Sequence, residues 1–395
     1  MLYDINLEKS NCGVGFITRK DGNQTHELLK LGHEALCKVP HRGGMASDGV
    51  GDGAGISVDL SLNFFEKLTK KKLKKGLFGV GNFFLPMDSR DKLAAERFVN
   101  TVLIDFELKV VLERDLPVNE DCLTEIQKAS QLPIKQWIFL SEIKRTEKEF
   151  ASAIYKALLE IEKKAFTLTS LEGLYPLSMS SKMQVLKGRL NSNEIIPFFK
   201  DLSDPDHKVK ILYFHTRFST NTKPQPAMAQ PFHLIAHNGE LNTDKKNRIS
   251  ENAIAQTKKR SVVSPFGQSD SCRLDQTIQS RLNEDRIDIV TAVVSMMPPA
   301  WENDPTLSQD LKSMFEYYSL YEEKNDGPAA LIFCDGEIIG ARLDRLGLRP
   351  LRSVETDEYL AVMSEAGQIN FPPEKIISLG RIEAGGMLYF DHNEA

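Results

Sequence analysis

The sequence predicts an α+β chain built on antiparallel strands, and three observations carry that expectation. Extended apolar runs are followed or joined by the turn dipeptides Asn238-Gly239 and Asp335-Gly336, as in hairpins. Two longer stretches, 88–106 and 147–164, space their apolar residues for helices, the first opened by the capping residues Asp88 and Ser89. The N-terminal region reads strand, helix, glycine-rich loop, strand.

Taken in order, Cys12-Gly13-Val14-Gly15-Phe16-Ile17 is a short alternating apolar run headed by a cysteine. By itself such a cysteine reads as a buried structural thiol. Leu28, Leu29, Leu31, Ala35 and Leu36 then fall at helical spacing over 26–36. The glycines of 49–55 superficially suggest a dinucleotide fingerprint, but they lead into Ile56-Ser57-Val58-Asp59, which alternates like a strand. A phosphate-binding glycine loop opens a helix. Tight turns where backbone approaches a small ligand are the expectation here. The basic cluster 70–75 follows the amphipathic pattern of Leu62, Phe64, Phe65 and Leu68 and reads as a solvated helix end. Residues 61–201 carry no motif of chemistry and are expected to form an insertion or flanking lobe, closed by the Asp-, Ser- and Pro-rich loop 201–207.

Beyond that block, Ile211, Leu212, Tyr213 and Phe214 mark a buried strand over 209–214, which runs into a polar stretch, His215-Thr216-Arg217-Phe218-Ser219-Thr220-Asn221-Thr222. A further strand is expected over 231–237, turning at Asn238-Gly239. Ser269-Asp270-Ser271 precedes Leu274, Ile278 and Leu282 at helical spacing, so one of the three is a natural N-cap. The runs 329–334 and 337–343 flank Asp335-Gly336 as a hairpin, and 359–363 adds a strand.

Composition removes several function classes. With 50 basic and 55 acidic residues among 395, the formal net charge is -5, without the basic excess of a dedicated nucleic-acid binder. No apolar run approaches the roughly 20 residues of a membrane span. Met1 through Asn11 hold Asp4, Glu8 and Lys9 and no apolar h-region, so they are not a secretory signal, and a cytoplasmic protein is expected. The five cysteines form no Cys-x-x-Cys pair, which speaks against zinc, an iron–sulfur cluster and a disulfide framework; one reactive and four buried thiols are expected. His233 and His237 share metalloprotease spacing, but in a strand-like run, and no metal site is expected.

With these pieces in place, the chain resembles the class II glutamine amidotransferase domain, an N-terminal-nucleophile hydrolase, and specifically the glutaminase domain of glutamate synthase. The resemblance covers nearly the whole length. It rests on Cys12-Gly13-Val14-Gly15-Phe16, His41-Arg42-Gly43, Gly51-Asp52-Gly53-Ala54-Gly55, Arg217-Phe218-Ser219-Thr220-Asn221-Thr222, Ala236-His237-Asn238-Gly239-Glu240, Ser269-Asp270-Ser271, Trp301-Glu302-Asn303-Asp304, Asp326-Gly327-Pro328-Ala329 and Leu343-Asp344-Arg345 with Arg349-Pro350. It implies a four-layer αββα sandwich of two antiparallel sheets.

The resemblance also implies that residues 1–11 are a propeptide and 12–395 the amidotransferase domain. Removing the leader would turn the Cys12 amide, which cannot act as a base, into an α-amine of reference pKa roughly 7.7–8.0, able to take the proton of its own thiol. By the same resemblance Cys12 attacks the side-chain amide of L-glutamine, while the Asn238 side chain and the Gly239 backbone N–H stabilise the oxyanion. Arg217 offers a planar fork to the substrate carboxylate, Asp270 the complementary charge to its ammonium, and Thr220 and Asn221 complete the pocket. His41 and Arg42 are expected to shape the pocket. No cofactor is expected in this chain; FMN and an iron–sulfur cluster belong to a synthase domain or subunit that accepts the ammonia. Class II amidotransferases of purine or amino-sugar synthesis are one alternative, disfavoured by the eleven-residue leader and the wording around Arg217. An enzymatically silent glutamine-binding regulatory module is the other.

Overall fold

The computed structural model describes residues 12–45, 49–217, 228–241, 245–261, 268–322 and 324–394. Among them lie three antiparallel sheets. The first runs in the order Ile376–Arg381 (β14), Arg352–Thr356 (β12), Tyr359–Met363 (β13), Val14–Arg19 (β1), Ile211–His215 (β8), Ala54–Asp59 (β2) and Met183–Gly188 (β7). The second orders Met387–Asp391 (β15), Ile338–Leu343 (β11), Ala329–Cys334 (β10) and Ile235–Gly239 (β9). Their central strands β1, β8, β2, β13 and β10 are apolar on both faces, because there the sheets are covered on both sides.

That double coverage defines the layers. Ile17, Ile56, Leu212, Phe214 and Met363 point outward from the first sheet onto Leu28, Leu29 and Leu36 of the helix Glu27–Cys37. Their alternates Val14, Phe16, Ile211, Tyr213 and Val362 point inward and meet Ala236, Ala330, Ile332 and Ala341 of the second sheet. The far face of that sheet, Ile235, Ala329, Leu331 and Phe333, packs on the helices Asp270–Ser280 and Ile289–Met296. The result is the αββα sandwich. The inward-facing Val, Ile and Phe side chains each contribute about 1.5–3 kcal/mol when fully buried.

The stretch 61–201 divides. Leu108–Asp115 (β4), Ile134–Ser141 (β5), Phe78–Phe84 (β3) and Tyr175–Ser180 (β6) make the third sheet, in that order. Phe83, Trp137 and Phe139 from that sheet share a core with Val99 of the helix Ser89–Asp105 and with Phe150 and Ile154 of the helix Glu147–Ala165. β7, by contrast, leaves this unit to pair with β2 as the far edge of the first sheet. The glycines of 49–55 lead into β2, a strand, as expected.

Three local expectations are corrected. Asn238-Gly239 is not a hairpin turn: both residues lie in β9, opposite Ala330 and Ala329. Gly239 has φ +154°, and a Cβ there would lie 1.8 Å from the Pro328 carbonyl oxygen, so close strand packing requires the glycine. The strand expected over 231–237 begins only at Ile235. The N–H groups of His233, Leu234 and Ile235 are taken by the carboxylate of Asp275, and the Phe232 N–H closes a turn onto the Ile235 carbonyl. Finally, Cys272 and Cys334 are buried and Cys122 partly so, but Cys37 is exposed at the end of its helix.

Burial also depresses His207 to about 4, His215 to about 3 and His237 to about 4. Each is therefore neutral in the fold at pH values where the unfolded chain, near 6.5, takes up a proton. Stability must fall as the pH drops through this window, by roughly 1.4 kcal/mol per pH unit for each net proton. Glu162, pushed up to about 7 by burial, acts oppositely, because the folded state keeps its proton longer. His392 is likewise lowered to about 4. Lys187, lowered to about 7 by burial, acts with the histidines, because the unfolded chain already holds the proton that the folded state takes up only near that pH. Four histidine protons against the one of Glu162 leave a net loss. The urea midpoint is expected to be lower at pH 5 than at pH 7; a midpoint that rises on acidification would contradict this balance.

Candidate active site

Cys12 sits two residues before the start of β1, the middle strand of the first sheet, and Asn238 near the end of β9 at the edge of the second. Alternation along β9 puts Asn238 on the same face as Ala236, toward the first sheet. There its side-chain Nδ2 donates to the main-chain carbonyl oxygen of Cys12 at 2.9 Å. Gly239 follows directly. Strand parity and sheet apposition thus bring the Asn238 side chain to the main chain of Cys12.

The backbone around Cys12 is held on both sides. The Gly13 N–H donates to Thr216 Oγ1 at 2.8 Å, the Thr216 N–H returns to the Gly13 carbonyl at 2.9 Å, and Thr216 Oγ1 also donates to the Arg42 carbonyl at 3.3 Å. On the other side the Val14 N–H donates to Ser364 Oγ at 2.9 Å. Thr216 and Ser364 carried no signal of this role in sequence, since each acts on backbone far away along the chain. His215, next to Thr216, lies with Nε2 3.0 Å from the His237 carbonyl oxygen, while its Nδ1 accepts the Arg217 N–H at 3.2 Å. Its depressed pKa keeps it the neutral spacer that this donor-and-acceptor pairing needs.

Charge converges on the thiol. Burial pushes the Cys12 thiol up to about 11, against the attraction of the Arg217, Arg349 and Arg42 guanidinium groups. Arg217 lies 3.6 Å from Asp52 through Nε. Gly44 makes room for that pair: a Cβ there would fall 1.6 Å from Asp52 Oδ2 and 2.9 Å from Arg217 Nε. Arg42 Nε bonds Glu365, which also receives His41 Nε2 at 2.7 Å. These two bonds hold the Glu365 carboxyl below its usual range in spite of burial. His41 and Arg42 therefore form one anchored unit beside Cys12. Arg349, quoted within a motif but given no role from sequence, reaches both Cys12 and His237 by its charge. It also lines a neighbouring cavity of about 440 Å³ with Leu346, Leu348 and Arg381.

Asp270 opens the helix Asp270–Ser280, whose N-cap is Ser269, its hydroxyl accepting the Cys272 N–H at 3.1 Å. The capping expectation is met by Ser269, leaving Asp270 at the first helical position. Its charge is felt at His237, the residue before Asn238. Thr220 and Asn221 lie outside the described residues, as does the leader 1–11. His233 and His237 do not converge on a common site: His233 Nδ1 faces Asp275 at 3.2 Å and His237 Nδ1 faces Ser271 Oγ at 2.7 Å.

This arrangement can present a thiol beside a preorganised amide donor, with cationic groups nearby, but the thiol needs a base. In a chain that keeps residues 1–11, Cys12 should alkylate more slowly than exposed Cys37 at pH 8, as followed by peptide-resolved mass spectrometry with iodoacetamide. Equal rates at the two cysteines would show that Cys12 is already activated.

Known proteins resemble this chain over nearly its whole length. The family model of the class-II glutamine amidotransferases matches residues 12–395. Ferredoxin-dependent glutamate synthase 2 of Synechocystis is 33% identical across 97% of this chain and 26% of its own length. The large chain of the NADPH glutamate synthase of Bacillus subtilis is 34% identical across 100% of this chain and 27% of its own. The chain thus spans about a quarter of the length of these curated relatives. Among solved structures, the glutamine phosphoribosylpyrophosphate amidotransferase from B. subtilis, complexed with ADP and GMP, is 14% identical with a TM-score of 0.39, over 97% of this chain and 48% of that one.

Proposed function

We propose that this chain, which belongs to the class II glutamine amidotransferases, supplies ammonia from L-glutamine as the glutaminase part of a glutamate synthase. The observation that carries the reading is the Asn238 amide bonded to the main chain of Cys12. Cleavage between Asn11 and Cys12 frees an α-amine, a group whose reference pKa is roughly 7.7–8.0. It can then accept the thiol proton that burial otherwise holds in place.

The thiolate sulfur bonds to the side-chain amide carbon of glutamine, and the carbonyl electron pair moves onto oxygen. Asn238 Nδ2 and the Gly239 N–H take up that charge; one such donor was worth about 2.7–4 kcal/mol in a protease. Collapse breaks the carbon–nitrogen bond, the ammonium form of the α-amine returns its proton to the leaving nitrogen, and ammonia departs from a γ-glutamyl thioester. Water, deprotonated by the same amine, adds to the thioester and releases glutamate and the thiol. Arg217 holds the substrate carboxylate and Asp270 its ammonium, with Thr220 and Asn221 completing the pocket.

Ammonia then passes to a synthase domain or subunit, where FMN and an iron–sulfur cluster supply the reducing chemistry. Among the described residues no helix is long and apolar enough to cross a membrane, and a cytoplasmic setting suits a glutamine-consuming enzyme.

Three variants test the reading by ammonia release from glutamine. Cys12→Ala should abolish turnover while the unfolding transition is kept, and retained turnover would sink the nucleophile assignment. Asn238→Ala should lower kcat by about 10²–10³-fold with a smaller change in KM. Asp270→Asn should chiefly raise KM, and an unchanged KM and kcat would remove Asp270 from the site. Intact-mass measurement of the active protein should show loss of residues 1–11; a full-length chain that hydrolyses glutamine would contradict the amine as base.

A further inference from the structure

The helix that begins at Asp270 carries a row of buried polar residues on the face it turns to β9. Ser271, Asp275 and Gln279 recur at intervals of four, so they line one side of the helix, and they are 9%, 1% and 8% exposed. The apolar residues Leu274 and Ile278 lie beside them in the core. A helix packed on a sheet gains most from apolar contacts, and buried polar groups are a weak source of stability; their best-attested use is to set register.

The contacts of this row are specific. Asp275 Oδ1 accepts the N–H groups of Leu234 at 2.7 Å and Ile235 at 3.2 Å. Its Oδ2 accepts the His233 N–H at 3.3 Å and lies 3.2 Å from His233 Nδ1. Gln279 Nε2 donates to the same Oδ2 at 2.9 Å. One turn nearer the N-terminus, Ser271 Oγ is 2.7 Å from His237 Nδ1. The two ties are four residues apart on the helix. On the strand they reach Ile235 and His237, two residues apart and so on one face. From the flanking lobe, Glu162 brings Oε1 to 3.9 Å from His233 Nε2, closing the far side of the cluster.

We propose that Asp275, with Ser271, is a positioning residue that locks the helix Asp270–Ser280 in register against β9. Asp270 then faces the substrate ammonium at a constant separation from the oxyanion donor Asn238. The inference rests on the roles proposed above for Asp270 and Asn238. Its physical basis is that these groups sit on different elements: the helix rises about 1.5 Å per residue, and a displacement of about 1 Å at a reacting centre can cost roughly 10²-fold in rate. Apolar packing through Leu274 and Ile278 is non-directional and leaves sliding along the strand open. A carboxylate collecting three consecutive backbone N–H groups does not.

The test compares Asp275→Asn, Ser271→Ala, Asp270→Asn and the double variant Asp275→Asn/Asp270→Asn in the full chain, by kcat and KM for glutamine hydrolysis. Asp275→Asn keeps the shape but sets an amide donor among donors. It should lower kcat by about 10–100-fold and raise KM. In its background Asp270→Asn should lose most of its own effect on KM, because the ammonium ligand is already misplaced. Ser271→Ala should shift both constants in the same directions by a smaller factor while remaining folded. A purely structural role predicts a lower unfolding temperature with kcat and KM per folded molecule unchanged, and full additivity with Asp270→Asn; either result overturns the proposal. If Asp275→Asn does not fold, folded Ser271→Ala decides, and wild-type constants there also overturn it. Losses in Asn238→Ala and Asp270→Asn alongside wild-type behaviour of Asp275→Asn and Ser271→Ala defeat this inference alone. Wild-type behaviour of Asn238→Ala and Asp270→Asn defeats the functional reading beneath it.

Discussion

The hydrogen bond from the Asn238 side chain to the Cys12 carbonyl joins the two sheets of the sandwich at the site, and its existence depends on strand parity. β9 must place Ala236 and Asn238 toward the first sheet and Ile235 and His237 toward the helices. A slip of one residue would exchange the faces, turning Asn238 into the helical layer and His237 toward the thiol. The apolar alternation that builds the core therefore also selects which polar side chain meets Cys12. Val14 and Phe16 on one sheet and Ala236 and Ala330 on the other set this register through their burial, and the site inherits it.

Around that contact, polar groups are held by partners from distant parts of the chain. Thr216 binds the Gly13 amide, Ser364 the Val14 amide, and Glu365 gathers Arg42 and His41. Arg217 stands against Asp52 over a backbone that passes too close for any side chain at Gly44. The consequence for chemistry is a thiol surrounded by three cations that nevertheless stays protonated, because loss of hydration outweighs their attraction. Activation must then come from a proton acceptor close at hand. In the proposed mechanism it is the amine on the same residue, so the peptide bond before Cys12 governs the sulfur.

Much of this was legible in the chain. Short alternating or continuous apolar runs marked β1, β2, β8, β10 and β13, strands covered on both faces. Helical spacing marked Glu27–Cys37, Ser89–Asp105 and Glu147–Ala165, the last capped by Thr146, whose hydroxyl accepts the Glu149 N–H. The failures have local causes. Asn-Gly is a turn signal because glycine admits positive φ, but in β9 that freedom serves close packing against Pro328. The stretch 231–234 has strand-like composition, yet the His233, Leu234 and Ile235 amides are claimed by Asp275, 40 residues or more away in sequence. β14 escapes notice because it lies at the edge of the sheet and is largely solvent-facing, and β12, second from that edge, because its polar Arg352-Ser353-Val354-Glu355-Thr356 run lacks the apolar residues that mark covered strands.

The sequence by itself determined the residue types of the chemistry and their order: a cysteine ahead of an apolar strand, an arginine after a buried strand, an Asn-Gly pair, and an aspartate beside a helix cap. Those are local facts, written in periodicity and in motifs. Only the tertiary structure decided which of them meet. It brought the Asn238 amide to the Cys12 backbone, raised the thiol by burial, and drew Arg349, Thr216 and Asp275 into a site to which no local pattern assigned them. The reason is that desolvation and contacts between residues hundreds of positions apart arise from how sheets and helices stack, and no short window of sequence contains that information.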